Sequence, residues 1–157
     1  MRTILSGLAF VATASALTLS GAAQAQDAPF AGQIKARQGI MMYRAIQLGT
    51  LGAMAKGEVD YDAAAAQKAA DNLLSAVTID TSMLWPAGSD SAADPTSTAL
   101  PDLWAEGAEV APKGKAMVEA ATAMQAEAGK GLDNLKAAMG AVGAACGGCH
   151  KAFRKPN

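Results

Sequence analysis

The segment LDNLKAAMGAVGAACGGCHKAFR, residues 132–154, holds the strongest pattern in this 157-residue chain. Within it, Cys146, Cys149 and His150 form Cys-x-x-Cys-His, the attachment sequence for a c-type haem. Each thiol can add across one haem vinyl group to form a thioether, and the adjacent histidine then reaches the iron as the proximal axial ligand. On a helix these three side chains project from one face. The sequence therefore predicts one covalently attached haem c.

Other uses of two cysteines fit the sequence less well. In an exported protein a cysteine pair often forms a disulfide, but the close spacing and the following histidine favour haem. A structural zinc site needs four ligands, whereas the chain has two cysteines and one histidine. A thioredoxin-like Cys-x-x-Cys lies near a βαβ pattern, and no strand pattern is present. Haem attachment through Cys146 and Cys149 remains the prediction.

The first 25 residues have the pattern of a cleavable secretory signal peptide. Met1-Arg2 gives a positive start, residues 4–19 are mostly apolar, and Ala23-Gln24-Ala25 fits an A-x-A cleavage site. A transmembrane anchor is the alternative, but the run is short for a bilayer span and contains many small polar residues. We expect one mature domain, residues 26–157, located in the periplasm without a membrane anchor.

The composition argues against several classes of function. The formal net charge is −1, so no basic face is available for nucleic-acid binding. Nothing in the sequence resembles a substrate pocket with acid–base groups, and we expect no enzyme activity. Aromatic residues make up only 4% of the chain. A bundle with so few large side chains packs thinly by itself, and a buried porphyrin would supply a large apolar surface.

Four helical segments follow from apolar side chains that recur every three or four residues. The expected helices are residues 29–56, 61–78, 101–127 and 132–154. Residues 79–100, rich in Pro, Gly, Ser, Thr and Asp, predict a long loop. Pro112 and Gly114 predict a kink or break inside the third helix. Short connections within the first and the last pair of helices predict an all-α, antiparallel up-down four-helix bundle, with the haem between the helices.

A Cys-x-x-Cys-His on the last helix of such a bundle resembles the class II c-type cytochromes, chiefly the cytochrome c′ family. The matching segments, which span the whole mature chain, are Arg37-Gln38-Gly39-Ile40-Met41, Ala55-Lys56-Gly57-Glu58 with Tyr61-Asp62, Asp102-Leu103-Trp104, Leu135-Lys136-Ala137-Ala138, and the haem motif with Phe153 and Arg154. The resemblance implies electron transfer through Fe(II)/Fe(III) cycling with redox partner proteins of a respiratory or photosynthetic chain. It also implies a homodimer that associates through the first two helices.

By the same resemblance, Met41 is the distal residue of the haem pocket. In low-spin members of the family a methionine of the first helix fills the sixth position of the iron. In cytochrome c′ itself an apolar distal residue blocks that position, and the iron binds nitric oxide or, in some proteins, carbon monoxide. Both alternatives stay open for Met41, which is either a sixth ligand or a packing residue.

Four further residues are expected near the haem by resemblance. Arg37, Gln38 and Thr98 are expected at its edge, where the guanidinium of Arg37 could pair with a propionate. Arg154 is expected behind the proximal imidazole, where its charge would adjust the electrostatics of the ligand. The alternative for each arginine is a solvated charge on a helix surface.

Overall fold

The computed structural model describes residues 29–156, so the predicted signal peptide, residues 1–25, lies outside the described residues. The described chain forms four α-helices: α1 (Ala31–Lys56), α2 (Ala63–Thr78), α3 (Val110–Glu127) and α4 (Leu132–Phe153). An isolated bridge between Ala99 and Arg154 is the only β-type pairing in this range. Between residues 29 and 156, no helix is both long and apolar enough to cross a bilayer.

The four helices form an antiparallel bundle in which each helix packs beside the next one along the chain. α1 lies along α2, α2 along α3 and α3 along α4, while α1 and α4 make a looser contact that closes the bundle. The largest fully buried apolar side chains are Ile34, Leu51, Leu73, Met124, Leu135 and Val142. Most of the remaining core is alanine. The predicted all-α four-helix bundle is confirmed.

One end of the bundle carries the two short turns. Gly57 follows the last residue of α1, has φ 74° and donates its N–H to the carbonyl of Met54 at 3.0 Å. A glycine takes this left-handed conformation without steric cost. Asp62 caps α2, since its Oδ1 accepts from the backbone N–H of Ala65 at 2.8 Å. The side chain of Asp62 thereby fixes the start of α2 at Ala63.

The start of the third helix is where the sequence prediction was wrong. Residues Pro101–Trp104 form a separate 3₁₀ turn, Gly107 takes φ 80°, and α3 begins at Val110. Pro112 lies in the first turn of α3, where the missing N–H would have no helical partner. α3 then continues unbroken to Glu127. The break therefore comes before Pro112, at the turn around Gly107, and no break follows at Gly114.

The long loop after α2 is anchored to the C-terminal end of α4. It contains one 3₁₀ turn, Ser82–Leu84, and is otherwise irregular, as predicted. The N–H of Leu100 donates to the carbonyl of Phe153 at 2.8 Å, and the N–H of Lys155 donates to the carbonyl of Thr98 at 2.8 Å. The loop is thus fixed to the chain directly after the Cys-x-x-Cys-His segment.

Candidate haem site

The predicted site residues meet at the end of the bundle opposite the short turns. In an antiparallel bundle, the first halves of α1 and α3 share one end with the last halves of α2 and α4. Met41 lies in the first half of α1, and Cys146, Cys149 and His150 lie in the last two turns of α4. The topology therefore brings together residues that are more than a hundred positions apart in sequence.

Cys146 and Cys149 are both free thiols, and both are partly buried. The Sγ of Cys146 lies 3.6 Å from the Sδ of Met117 on α3. Burial raises the pKa of both thiols. The positive charge of Arg44 opposes this shift at Cys146, and the charges of Lys113 and Arg44 oppose it at Cys149. The pair is therefore reduced and held on one helix, as covalent attachment of a porphyrin requires.

His150 follows the pair on the same helix and is partly buried. Burial lowers the pKa of His150, and the positive charge of Arg154 lowers it further. The imidazole is therefore neutral at physiological pH, which is the form that binds iron. Arg154 lies close enough to act on the imidazole electrostatically, although its proposed tuning of the ligand stays a prediction.

These donors fit one haem c. Two thiols for the vinyl groups and one neutral imidazole for the iron lie within five consecutive residues of α4. Among residues 29–156, no cluster of three or more His, Cys, Asp or Glu side chains could hold a metal ion by itself. When bound, the haem supplies a one-electron Fe(II)/Fe(III) couple.

Met41 lies on α1, across the loose α1–α4 contact from the cysteine pair, and its side chain is 37% exposed. Its sulfur accepts a long hydrogen bond, 3.7 Å, from Nη1 of Arg44 one turn further along α1. The charge of Arg44 in turn acts on both Cys146 and Cys149. Arg44 thus contacts the predicted distal residue and also acts electrostatically on the attachment site.

Arg37 is buried under the long loop, with only 4% of the residue exposed. Nη1 donates to the carbonyl of Leu84 at 3.1 Å and to the hydroxyl of Ser89 at 2.7 Å. Nη2 donates to the carbonyl of Ser89 and, at 2.8 Å, to the hydroxyl of Ser97. The guanidinium therefore organises the loop, and the alternative of a solvated surface charge is wrong for Arg37. Its contact with a propionate stays a prediction.

Gln38 and Thr98 lie on the exposed surface beside this loop. Nε2 of Gln38 donates to the carbonyl of Thr96 at 2.7 Å. The backbone carbonyl of Thr98 accepts from Lys155, so Thr98 lies next to the C-terminal end of α4. Both residues are thus at the same end of the bundle as the haem motif, and their contact with the haem edge stays a prediction.

Sequence reasoning missed two residues that organise this protein. Arg44 follows Met41 at three residues, so a helical projection of α1 would have placed its charge on the distal face. Tyr61 matched the family only as part of a turn segment and no role was predicted for it, yet its hydroxyl donates to the carbonyl of Ala128 at 2.8 Å and accepts from the N–H of Gly131 at 2.9 Å. It thereby joins the α1–α2 turn to the α3–α4 turn, a contact that no local pattern indicates.

Comparison with known proteins agrees with the fold. The family model of cytochrome c′ matches residues 32–154. Cytochrome c-554 of Cereibacter sphaeroides is 44% identical, over 90% of this chain and 95% of that protein. The structure of a cytochrome c′ from Rhodobacter sphaeroides superposes with a TM-score of 0.78 at 36% identity, over 80% of this chain and 97% of that one. The structure of a nitric oxide complex of a cytochrome c′ variant from Alcaligenes xylosoxidans superposes with a TM-score of 0.68 at 29% identity, over 79% of this chain and 94% of that one.

A helical bundle with a covalent haem on its last helix defines the class of protein. The family match over nearly all described residues makes the assignment specific, and the chain belongs to the cytochrome c′ family. The family carries one covalent haem c, and Cys146 and Cys149 remain its predicted attachment points, with His150 as the predicted proximal ligand. The family is one of haem proteins, and both electron transfer and gas binding are compatible with it.

Proposed function

We propose that this protein is an exported one-electron carrier of the periplasm, which exchanges electrons with redox proteins of a respiratory or photosynthetic chain and performs no catalytic turnover. One observation carries the proposal. Met41 lies at the same end of the bundle as the cysteine pair, and Arg44, which donates to the Met41 sulfur at 3.7 Å, also acts electrostatically on both cysteines. A histidine and a methionine on opposite sides of the pocket are a ligand pair that suits electron transfer.

Each residue of the site has a defined task in this proposal. Cys146 and Cys149 fix the haem on α4, so that its orientation does not depend on axial ligation alone. The partly buried His150 remains neutral and available to the iron because burial lowers its pKa. Met41 offers a soft thioether on the distal side, and methionine ligation raises the reduction potential of a haem.

The alternative function is binding of nitric oxide or another diatomic gas at a five-coordinate iron. Two observations favour it. Met41 is 37% exposed, and its sulfur makes only a long hydrogen bond, so a ligand could displace the side chain at low cost. A variant of a solved relative has been captured as a nitric oxide complex. The two functions differ in what occupies the distal side of the iron at rest.

The ferric electron-paramagnetic and visible spectra separate the two functions. We expect a low-spin wild-type protein that becomes high-spin in Met41→Ala, because the thioether is then removed. Met42→Ala is the matched control, since it removes a neighbouring methionine that is 63% exposed. A high-spin wild-type spectrum with rapid nitric oxide uptake, unchanged in Met41→Ala, would contradict the electron-carrier proposal.

We also propose that the protein is a homodimer that associates through α1 and α2. Support comes from three apolar or aromatic side chains of α1 that remain exposed in the single chain: Met42 at 63%, Tyr43 at 44% and Ile46 at 57%. Sedimentation should show a dimer that dissociates in Ile46→Glu. Met83→Glu, in a loop position that is 87% exposed, is the control and should leave the dimer intact. A monomeric wild-type protein would refute this assembly.

Export to the periplasm is proposed from the pattern of residues 1–25. Cell fractionation should place the haem-containing protein in the periplasm, and N-terminal sequencing should begin at Gln26. A cytoplasmic protein that keeps Met1 would refute export.

A further inference from the structure

Arg44 is a half-buried cation for which no described carboxylate serves as a partner. The ion pairs formed within residues 29–156 all involve lysines on the surface. Nε and Nη2 of Arg44 instead donate to the carbonyl of Ala76 in the last turn of α2, at 3.2 Å and 2.7 Å. A helix C-terminal end carries partial negative charge, which holds the guanidinium in place without neutralising it.

The remaining donor group, Nη1, contacts Met41, the predicted distal residue of the haem pocket. Its acceptor is the sulfur of Met41 at 3.7 Å, and thioether sulfur is a weak acceptor. Burial lowers the pKa of Arg44, and Cys146 and Cys149 raise it, which places the guanidinium within electrostatic reach of both attachment residues. An arginine remains charged in a folded protein. The positive charge is therefore retained beside the place where the haem is attached.

We propose that Arg44 supplies an uncompensated positive charge to the distal haem pocket, and that this charge favours any step that adds negative charge at the iron. Two such steps exist: uptake of an electron by the ferric iron, and binding of a small anion such as azide. Charges interact more strongly in a partly buried pocket than in water. The inference rests on haem attachment and on the place of Met41 on the distal side, and it holds whether or not the Met41 sulfur binds the iron.

Redox titration of the intact haem protein tests the first step. In Arg44→Gln we expect the equilibrium constant for reduction to fall about tenfold, which is about 59 mV for a one-electron couple. Lys56→Gln is the matched control, because it removes one positive charge from the far end of the same helix, where the side chain is 71% exposed. The control should change the constant less than about twofold, and Arg44→Lys should restore most of the wild-type value. Equal shifts in Arg44→Gln and Lys56→Gln would overturn the proposal.

Ligand binding to the ferric protein tests the second step. We expect Arg44→Gln to weaken azide binding about tenfold and to change the affinity for neutral imidazole less than about twofold. If Met41 must be displaced, the cost is the same for azide and for imidazole. The ratio of the two affinities therefore reports the effect of the Arg44 charge alone. A parallel loss of affinity for azide and imidazole would indicate a structural role and overturn the proposal.

A second pair of variants covers the case in which Arg44→Gln fails to fold, since Arg44 also joins α1 to α2. Thr81 lines the same crevice as Met41 and Arg44. Thr81→Glu would place a carboxylate beside Arg44 while leaving its bonds to Ala76 in place. Thr81→Glu should lower the reduction potential and azide affinity relative to Thr81→Gln, which has the same size without the charge. Equal values for these two variants would refute the proposal independently of the proposed electron-transfer function.

Discussion

The guanidinium carbon of Arg37 lies 4.5 Å from the centre of the Trp85 ring and 5.9 Å from the centre of the Trp104 ring. Nε1 of Trp104 also donates to the backbone carbonyl of Trp85 at 3.0 Å. The charged side chain of Arg37 thus contacts both tryptophans of the chain and the loop that covers this end of the bundle. Cation–aromatic contacts of this kind stabilise most when they are shielded from water.

Arg37→Gln should therefore destabilise the protein by about 3 kcal/mol, because several charge-assisted hydrogen bonds to the loop are lost. Urea unfolding of the haem protein measures the change. Lys35→Gln, at an exposed position of the same helix, should stay within about 0.5 kcal/mol of the wild type. An Arg37→Gln protein as stable as Lys35→Gln would show that the loop does not depend on this arginine.

Asp94 makes the contribution of the long loop to protein stability depend on pH. Its pKa lies below the ordinary value of 3.8 because Thr96 donates to its Oδ1 through both the hydroxyl and the backbone N–H, and because the charge of Arg37 is near. A carboxylate with a lowered folded-state pKa stabilises the protein above its unfolded-state pKa. That stabilisation is lost as the pH falls below the ordinary pKa of 3.8 and then through the lower folded-state pKa of Asp94.

Asp94→Asn should accordingly flatten the acid limb of the stability profile between pH 5 and 2, as measured by the free energy of urea unfolding. Asp102→Asn, at an exposed position, is the control and should keep the wild-type slope. If Asp94→Asn loses stability with acid as steeply as the wild type, the lowered pKa of Asp94 does not contribute to folding.

Tyr61→Phe should cost about 1–2 kcal/mol of stability, because the carbonyl of Ala128 and the N–H of Gly131 both lose their partner. Tyr43→Phe, on an exposed part of α1, should have little effect. The haem spectrum should stay unchanged in both variants, since Tyr61 lies at the opposite end of the bundle. A spectral change in Tyr61→Phe with unchanged stability would contradict this assignment.

Covalent attachment predicts the outcome of acid–acetone extraction. The wild-type protein should keep its red colour, because thioether bonds survive this treatment. Cys146→Ser and Cys149→Ser should each keep the haem through the remaining bond, with a shifted absorption band from the unsaturated vinyl group. The double variant should release its haem into the solvent. Retention of haem by the double variant would exclude these cysteines as the attachment points.

Much of the fold could be predicted from the sequence because it depends on local patterns. The ends of α1, α2 and α4 lie within two residues of the prediction, since apolar spacing, Asp62 and Gly57 act on their own neighbourhood. The start of α3 could not be predicted in this way. Pro101 fits a helical first turn as well as it fits a 3₁₀ turn, and only the packing of the loop against Phe153 selects the second.

The sequence by itself determined the covalent haem and predicted its proximal ligand, because Cys146, Cys149 and His150 lie close together on one helix and their chemistry depends only on that spacing. Tertiary structure decided the rest of the pocket. The burial of Arg37, the joining of two turns by Tyr61 and the contact of Arg44 with the end of α2 all depend on helices that meet only after folding. Burial and electrostatic reach are properties of three-dimensional distance, which spacing along the chain does not determine.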